Sequence, residues 1–369
     1  MIPVNEPVIG ARERELVLQC LDTGWISSDG PFVGQFEQRF AQEVGRRHAI
    51  AVMNGSAALD AAVAALDLKR GDEVVMPTFT IISCITAVLT AGAVPVPVDC
   101  DPVTWNATPE AILAAVTPKT KAIMAVHIYG LPMDMDPILT FAKERGIAVI
   151  EDAAEAHGLT YKGRPCGSLG DVSTFSFYPN KHITTGEGGM IVTDSDAIAE
   201  KCRSLRNLGF NPKRRFVHDE LGWNFRMTNL QAALGLGQIE RLSDNIAKKR
   251  AMGKRYRELL QGENRLQLPA ERSTGAENVY WVFGMVLDDS VPFDAQEMMR
   301  RLTECGIGTR PFFWGMHEQP VLRRRGMFQN LSLPVAERIA RRGFYVPSGL
   351  ALTDAQMIEV ARAVREALG

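Results

Sequence analysis

The chain has 369 residues, of which 46% are hydrophobic, and a net charge of −2. That size and composition suit one large globular unit, or a large domain with a smaller appendix. The near-neutral charge gives no electrostatic basis for binding nucleic acid or an anionic membrane surface. The cysteines, Cys20, Cys84, Cys100, Cys166, Cys202 and Cys305, are scattered without a CxxC pair. Such spacing favours reduced thiols and a cytoplasmic location. Met1 to Pro7 has no charged segment followed by an apolar core, so no signal peptide is expected. Phe79 to Val98 is the longest apolar tract, but Gly92, Pro95 and Pro97 break it into helix, turn and strand, not a membrane span.

In chain order, Ala49 to Met53 reads as a strand and Ser56 to Leu66 as a helix opened by Asn54-Gly55. Glu73 to Met76 is a strand, Thr80 to Ala91 a helix, Val94 to Val98 a strand and Pro109 to Val116 a helix. Ala122 to Val126, Asp136 to Arg145 and Ala148 to Ile150 continue as strand, helix and strand. This alternation predicts an α/β fold with a mostly parallel sheet covered by helices on both faces. The loop between Val172–Phe177 and Met190–Thr193 is too short for a crossover helix, which predicts an antiparallel edge there. Thr228 to Leu260 reads as a long helix or helix pair bent near Ser243-Asp244, and the polar stretch Gly262 to Asn278 suits a boundary. Trp281 to Leu287 is a strand, and Asp294 to Cys305 and Ala355 to Leu368 are helices. The expected division is a large domain over 1–240 and a smaller α+β domain over 241–369.

Polar features fall where the parallel strands should end, which is where open α/β sheets bind ligands. Asn54-Gly55-Ser56 offers a tight turn and free first-turn N–H groups that suit a phosphate, or serves as an ordinary N-cap. Asp152 follows the apolar run Ile147 to Ile150 and needs a cationic or hydrogen-bonded partner. A protonated pyridine nitrogen is one such partner; backbone N–H groups of a helix start are another. Lys181 sits in a Thr/Gly-rich loop between two apolar strands. A lysine desolvated there has a lowered pKa and forms Schiff bases readily, whereas a surface lysine would only lay its stem on the strand ends. Ser176 lies on the near side of the same turn. Together these residues supply a phosphate anchor, a pyridinium partner and a Schiff-base lysine, the set that pyridoxal phosphate requires. No metal-ligand cluster is read. The basic runs Lys213-Arg214-Arg215 and Arg323-Arg324-Arg325 read as solvated charges, with a phosphate-bearing ligand as the sharper alternative.

Several motifs spread over nearly the full length resemble those of the DegT/DnrJ/StrS-type sugar aminotransferases. They are Gly24-Trp25-Ile26-Ser27-Ser28, Asn54-Gly55-Ser56-Ala57-Ala58-Leu59, Gly71-Asp72-Glu73-Val74, Val126-His127-Ile128-Tyr129-Gly130 and Ile150 to Ala156. The Lys181 segment, Gly222 to Asn229, Arg310-Pro311 and His317 complete the set. The resemblance implies fold type I, the aspartate aminotransferase-like fold, with pyridoxal 5′-phosphate as cofactor. Lys181 and Asp152 would be the catalytic pair. Gly55, Ser56 and Ser176 would hold the phosphate with Ala57 beside them, and Ala154, Ile81 and Glu155 would lie near the ring. Asn224 or Arg226 would reach the cofactor of a neighbouring subunit, making the active unit a homodimer, or a tetramer of such dimers. Trp25, Ser27, His182, Arg215, Arg310 and His317 would face the substrate. Lys-x-Ile-Thr-Thr-Gly-Glu-Gly-Gly resembles the branch that aminates at C4, which implies transfer from glutamate to a nucleotide-linked 4-keto-6-deoxy sugar, GDP-4-keto-6-deoxymannose foremost. UDP- or dTDP-linked sugars, or amination at C3, are the alternatives, and a non-catalytic cofactor-binding regulator is a remote one. A dehydratase variant is disfavoured because such relatives carry His at the position of Lys181, and a dehydrogenase because no GxGxxG follows the first strand. Ile81 stands where relatives often have a stacking aromatic residue, and Tyr178-Pro179 and Phe312 to His317 also depart from the usual pattern.

Overall fold

A computed structural model describes residues 1–211 and 213–369, and the side chain of residue 215 lies outside the described residues. The alternating segments build a seven-stranded sheet from β1 (His48–Val52), β2 (Glu73–Pro77), β3 (Val94–Val98), β4 (Thr120–Val126), β5 (Ala148–Asp152), β6 (Val172–Ser176) and β7 (Gly189–Thr193). Their order is β1-β7-β6-β5-β4-β2-β3. Every neighbouring pair is parallel except the two made by β7, which runs antiparallel to both β6 and β1. The expected antiparallel pair therefore forms, but it is not at the edge. All five residues of β7 are buried, and β1 covers its far side from His48↔Thr193 to Val52↔Gly189. At the opposite edge, β3 reads Val-Pro-Val-Pro-Val. Its two prolines share one phase of the strand, which is tolerated where their missing N–H groups would face the open edge.

Strand residues alternate between two apolar layers. Ala51, Val75, Ile123, Val149 and Phe175 pack on one face with Phe36 and Phe40. Ile50, Val74, Met76, Met124 and Ile150 pack on the other with Leu59, Ile85 and Val88. The helices include α1 (Ala11–Thr23), α2 (Pro31–Val44), α3 (Gly55–Ala64), α4 (Ile82–Thr90), α5 (Pro109–Ala114), α6 (Met135–Arg145) and α7 (Asp196–Arg206). The stretch expected as one helix or a bent pair is α8 (Asn229–Ile239) and α9 (Leu242–Leu259). The break falls at Glu240-Arg241, ahead of Ser243-Asp244. Arg241 leaves helical geometry and donates to the carboxylate of the fully buried Glu13 and to the carbonyl of Val8. A buried carboxylate needs that partner, and the turn supplies it.

A second sheet, four-stranded and antiparallel, contains β8 (Leu266–Gln267), β9 (Phe283–Leu287), β10 (Arg310–Pro311) and β11 (Gly343–Val346) in the order β8-β9-β11-β10. Its core joins Phe283, Met285 and Phe344 to Tyr256 of α9, Leu302 and Val364. The rings of Phe79, Tyr129, Trp281 and Phe312 bridge the two sheets. Among the described residues, no helix is long and apolar enough to cross a membrane.

Candidate active site

The parallel strands bring their carboxyl ends to one edge of the large sheet. Asp152 is the last residue of β5, which runs two residues past the expected end at Ile150, and Ser176 is the last of β6. Asn54 and Gly55 follow β1, Thr78 to Thr80 follow β2, and His127 follows β4. Because β7 runs the other way, the loop from 177 to 188 starts and ends at this same edge, and it carries Lys181. A cavity of about 470 Å³ opens there. Of the residues singled out from the sequence, Gly55, Ser56, Ile81, Asp152, Ala154, Glu155, Ser176 and Lys181 line it.

The Lys181 turn is closed by its own N–H donating to the carbonyl of Tyr178 at 2.9 Å. Its side chain is 9% exposed, and Nζ lies 3.8 Å from Oε1 of Glu155. Burial pulls the amine's pKa down, with Glu155 and then Asp152 opposing. Burial likewise pushes the Glu155 carboxyl up, opposed by Lys181 and by the N–H of Tyr129, which donates to Oε2 at 2.8 Å. A buried amine with a lowered pKa is the state in which lysine is nucleophilic.

Asp152 is 2% exposed. Its Oδ1 accepts from the N–H of Ala154 at 3.0 Å and its Oδ2 from the thiol of Cys84 at 3.1 Å. Burial, then the charge of Asp152, hold the Cys84 pKa well above the ordinary thiol range. Cys84 is thus a hydrogen-bond donor to Asp152 and not a nucleophile. The adjacent Glu151 points to the other face of β5, as the period of two requires. It accepts from Nε2 of His127 at 2.9 Å, from the N–H groups of Leu169 and Gly170, and from the Ser173 hydroxyl. Burial pushes its pKa up, but hydrogen bonds from His127, Gly167 and Gly170 outweigh that and bring it to about 2. One carboxylate of this neighbouring pair is spent inside the fold; the other faces the cavity.

Opposite Asp152 lies a small polar cradle. Asn54 caps α3, its Oδ1 accepting from the N–H of Ala57 at 2.8 Å. The N–H groups of Gly55 and Ser56, in the first turn, have no intrahelical acceptor and sit at the positive end of the helix dipole. A Cβ on Gly55 would stand 2.8 Å from Cβ of Ser176, and one on Gly189 would stand 2.4 Å from the carbonyl oxygen of Asn54. Only glycine allows α3, β6 and β7 to meet this closely. Ser56 Oγ is 2.7 Å from Ser83 Oγ. The buried hydroxyl of Thr174, which also lines the cavity, has no partner among the described residues.

Other residues expected at the site lie elsewhere in this chain. Ala57 is buried and its N–H is occupied by Asn54. His182 turns away from its neighbour Lys181 and meets the carbonyl of Val279 at 3.1 Å. His317 is enclosed between Thr78 Oγ1 at 2.8 Å and Glu337 Oε1 at 3.1 Å. Asn224 and Arg226 belong to a segment paired with Asn207 and Val52, and Arg226 Nη1 donates to Asn207 Oδ1. Trp25, Ser27 and Arg310 are on exposed segments. The Arg215 side chain lies outside the described residues. Conversely, Thr174, Trp281, Phe313 and Tyr345 line the cavity without having been singled out. Trp281 and Tyr345 come from the second sheet's share of the chain, and no local spacing ties them to Lys181.

A model of the DegT/DnrJ/EryC1/StrS aminotransferase family matches residues 7–365. GDP-perosamine synthase of Caulobacter vibrioides is 43% identical over 368 residues, which cover 100% of this chain and 98% of that protein. GDP-perosamine synthase of Escherichia coli O157:H7 is 39% identical, covering 99% of this chain and 98% of that protein. Among solved structures, an aminotransferase from Psychrobacter cryohalolentis superposes with a TM-score of 0.90 at 31% identity, covering 99% of this chain and 98% of that one. With the family model spanning almost every residue and the cavity placed at the carboxyl edge of its parallel sheet, this chain belongs to the DegT/DnrJ/EryC1/StrS aminotransferase family.

Proposed function

We propose that the chain transfers an amino group from glutamate to C4 of a nucleotide-linked 4-keto-6-deoxy sugar, GDP-4-keto-6-deoxymannose, forming GDP-perosamine. The observation that carries the reaction class is the convergence of Lys181, Asp152 and the Gly55–Ser56–Ser176 cradle on one cavity. The substrate rests on the name shared by the 43% and 39% identical relatives.

Pyridoxal phosphate fits this donor set. The cradle at the N-terminus of α3 suits its phosphate, Asp152 its protonated ring nitrogen, and Lys181 its aldehyde. When bound, it supplies a sink for the electrons left on carbon when a proton is removed beside the transferred nitrogen. The protein's own work is to place and protect. Asp152, held by Ala154 and Cys84, presents its carboxyl group at a fixed point of the cavity wall. Lys181 Nζ, once free, is the base and acid that moves the proton, and its fixed turn makes that step effectively unimolecular. Ala154 and Ile81 give apolar contact, without the ring-on-ring geometry that an aromatic residue at 81 would add.

Incubation of the purified protein with glutamate and GDP-, UDP- and dTDP-linked 4-keto-6-deoxy sugars, with the product read by mass, is expected to show the amino sugar from the GDP substrate. Turnover of only a UDP- or dTDP-sugar would refute the GDP assignment and leave aminotransfer standing.

A homodimer is part of the same reading. Trp25, Ile26 and Leu221 are large apolar side chains exposed at 51%, 48% and 94%, and Asn229 ties the first segment down, its side-chain amide donating to the carbonyl of Trp25 and its backbone N–H to that of Ser27. A second copy covering this surface would bring Asn224 or Arg226 toward the partner's phosphate cradle. Sedimentation is expected to give at least twice the 40.6 kDa chain mass. A monomer at micromolar concentration would count against the shared site.

A further inference from the structure

Trp281 precedes β9 and is 4% exposed. Its ring centroid lies 4.0 Å from Nζ of Lys181. Its indole N–H donates to the carbonyl of Asn180, the residue before the lysine, at 3.0 Å. Its own carbonyl accepts from Nζ of Lys249 at 2.8 Å. Lys249 is itself buried, at 3% exposure, and also donates to the carbonyl of Ser348. Among the described residues it pairs with no carboxylate, so its hydrogen-bonding capacity goes to holding these two backbone segments together. The rings of Tyr129 and Tyr345 pack against the indole at 5.5 and 6.2 Å. The tryptophan is therefore held by its face, its N–H and its carbonyl.

We propose that Trp281 is a positioning residue for Lys181: its ring face seats the free ε-ammonium, and its indole N–H fixes the turn that carries the lysine, with Lys249 holding the backbone of Trp281 in place. The inference rests on the reading of Lys181 as the reacting amine. A lysine in that role must be released and recaptured at each turnover, and a released ammonium in a buried site needs a favourable seat. Glu155 supplies charge at 3.8 Å. A carboxylate alone would clamp the ammonium in an ion pair. A π face attracts the cation without a directed bond, so Nζ stays free to swing back into the cavity. The other titratable groups whose charge acts on Lys181 are Asp152, His157 and His182. Both histidines are held by burial far below their ordinary range, so neither gains charge between pH 6 and 11.

The test reads the amine directly, in cofactor-free protein. Competitive labelling with trace acetic anhydride from pH 6 to 11, followed by mass spectrometry of the peptide containing Lys181, gives that residue's pKa independently of its accessibility. The ring stabilises the charged form, so removing it lowers the pKa. The expected order is wild type above Trp281→Phe above Trp281→Leu, with the leucine variant lower by about one pH unit, or about tenfold more uncharged amine at a fixed pH below the pKa. A residue that merely shields the amine would, on removal, admit water and raise this value, since burial is what lowers it. Equal pKa values in the three proteins, or a rise in the variants, would overturn the proposal. Should the leucine variant fail to fold, the phenylalanine variant decides, with a fall of roughly half a unit expected from its weaker ring and no fall overturning it. Turnover does not enter this readout, so loss of the Lys181 reading itself would show separately, as activity retained by Lys181→Ala.

Discussion

Lys181→Ala is expected to lose amino transfer by at least about 10⁴-fold, because one side chain serves as both nucleophile and proton carrier. The absorbance of lysine-bound cofactor should vanish with it, while added cofactor still occupies the phosphate cradle, since Gly55, Ser56 and Ser176 are untouched. The fold should survive. The amine's neighbours are Glu155 and the face of Trp281, and Glu155, with its carboxyl already pushed up by burial, takes a proton more readily once the cation is gone. Lys181→Arg separates charge from chemistry. A guanidinium keeps the positive charge beside Glu155 but stays protonated and forms no Schiff base, so it should be as inactive as alanine. Turnover with glutamate and keto sugar, alongside the absorption spectrum, checks both. Full turnover by either variant refutes the assignment of Lys181.

Asp152→Asn is expected to cost on the order of 10²- to 10³-fold in kcat/KM, the scale on which removal of one preorganised charge-stabilising group acts. The substitution is nearly isosteric. One amide oxygen still accepts the N–H of Ala154, as Oδ1 does now at 3.0 Å. The amide nitrogen, however, then faces Cys84, whose thiol donates to Oδ2 in the native chain, and it offers no negative charge to a protonated ring nitrogen. Cofactor should still bind through the cradle and Lys181, so the visible spectrum is retained in altered form while the rate falls. A variant with unchanged kcat/KM would remove Asp152 from the mechanism. The neighbouring Glu151 gives the contrast. It bears the same charge and is also buried, yet His127, Ser173 and the 167–170 backbone consume its oxygens.

Much of the large sheet is legible in the sequence. Strands buried on both faces must be short apolar runs, and the turns between them must be Gly-, Pro- or Asn-marked, so β1 to β7 stand out with boundaries matched to within two residues and β3 matched at both ends. The placement of β1 outside β7 was not legible, because it depends on which apolar strand covers the open side of β7, a choice made by the whole sheet. Helices α1, α2 and α7 were not singled out. The bend between α8 and α9 was misplaced by a few residues because a buried Glu13, far earlier in the chain, recruits Arg241.

At the site, residues on strand ends and the loop after β6 could be named from sequence, since a run of buried strand residues leaves little choice about where its last polar residue emerges. By itself the chain order determined that Asp152, Ser176 and Lys181 reach one sheet edge and that Gly55-Ser56 opens a helix there. Side-chain direction was decided only by tertiary packing. His182 adjoins Lys181 in sequence yet turns to Val279, and His317 is closed in by Thr78 and Glu337. Cys84 reaches Asp152, and Trp281 reaches the cavity, because elements distant in sequence pack there. A buried amine or carboxylate takes its properties from whatever surrounds it in space, and for Lys181 those surroundings include an indole from 100 residues downstream.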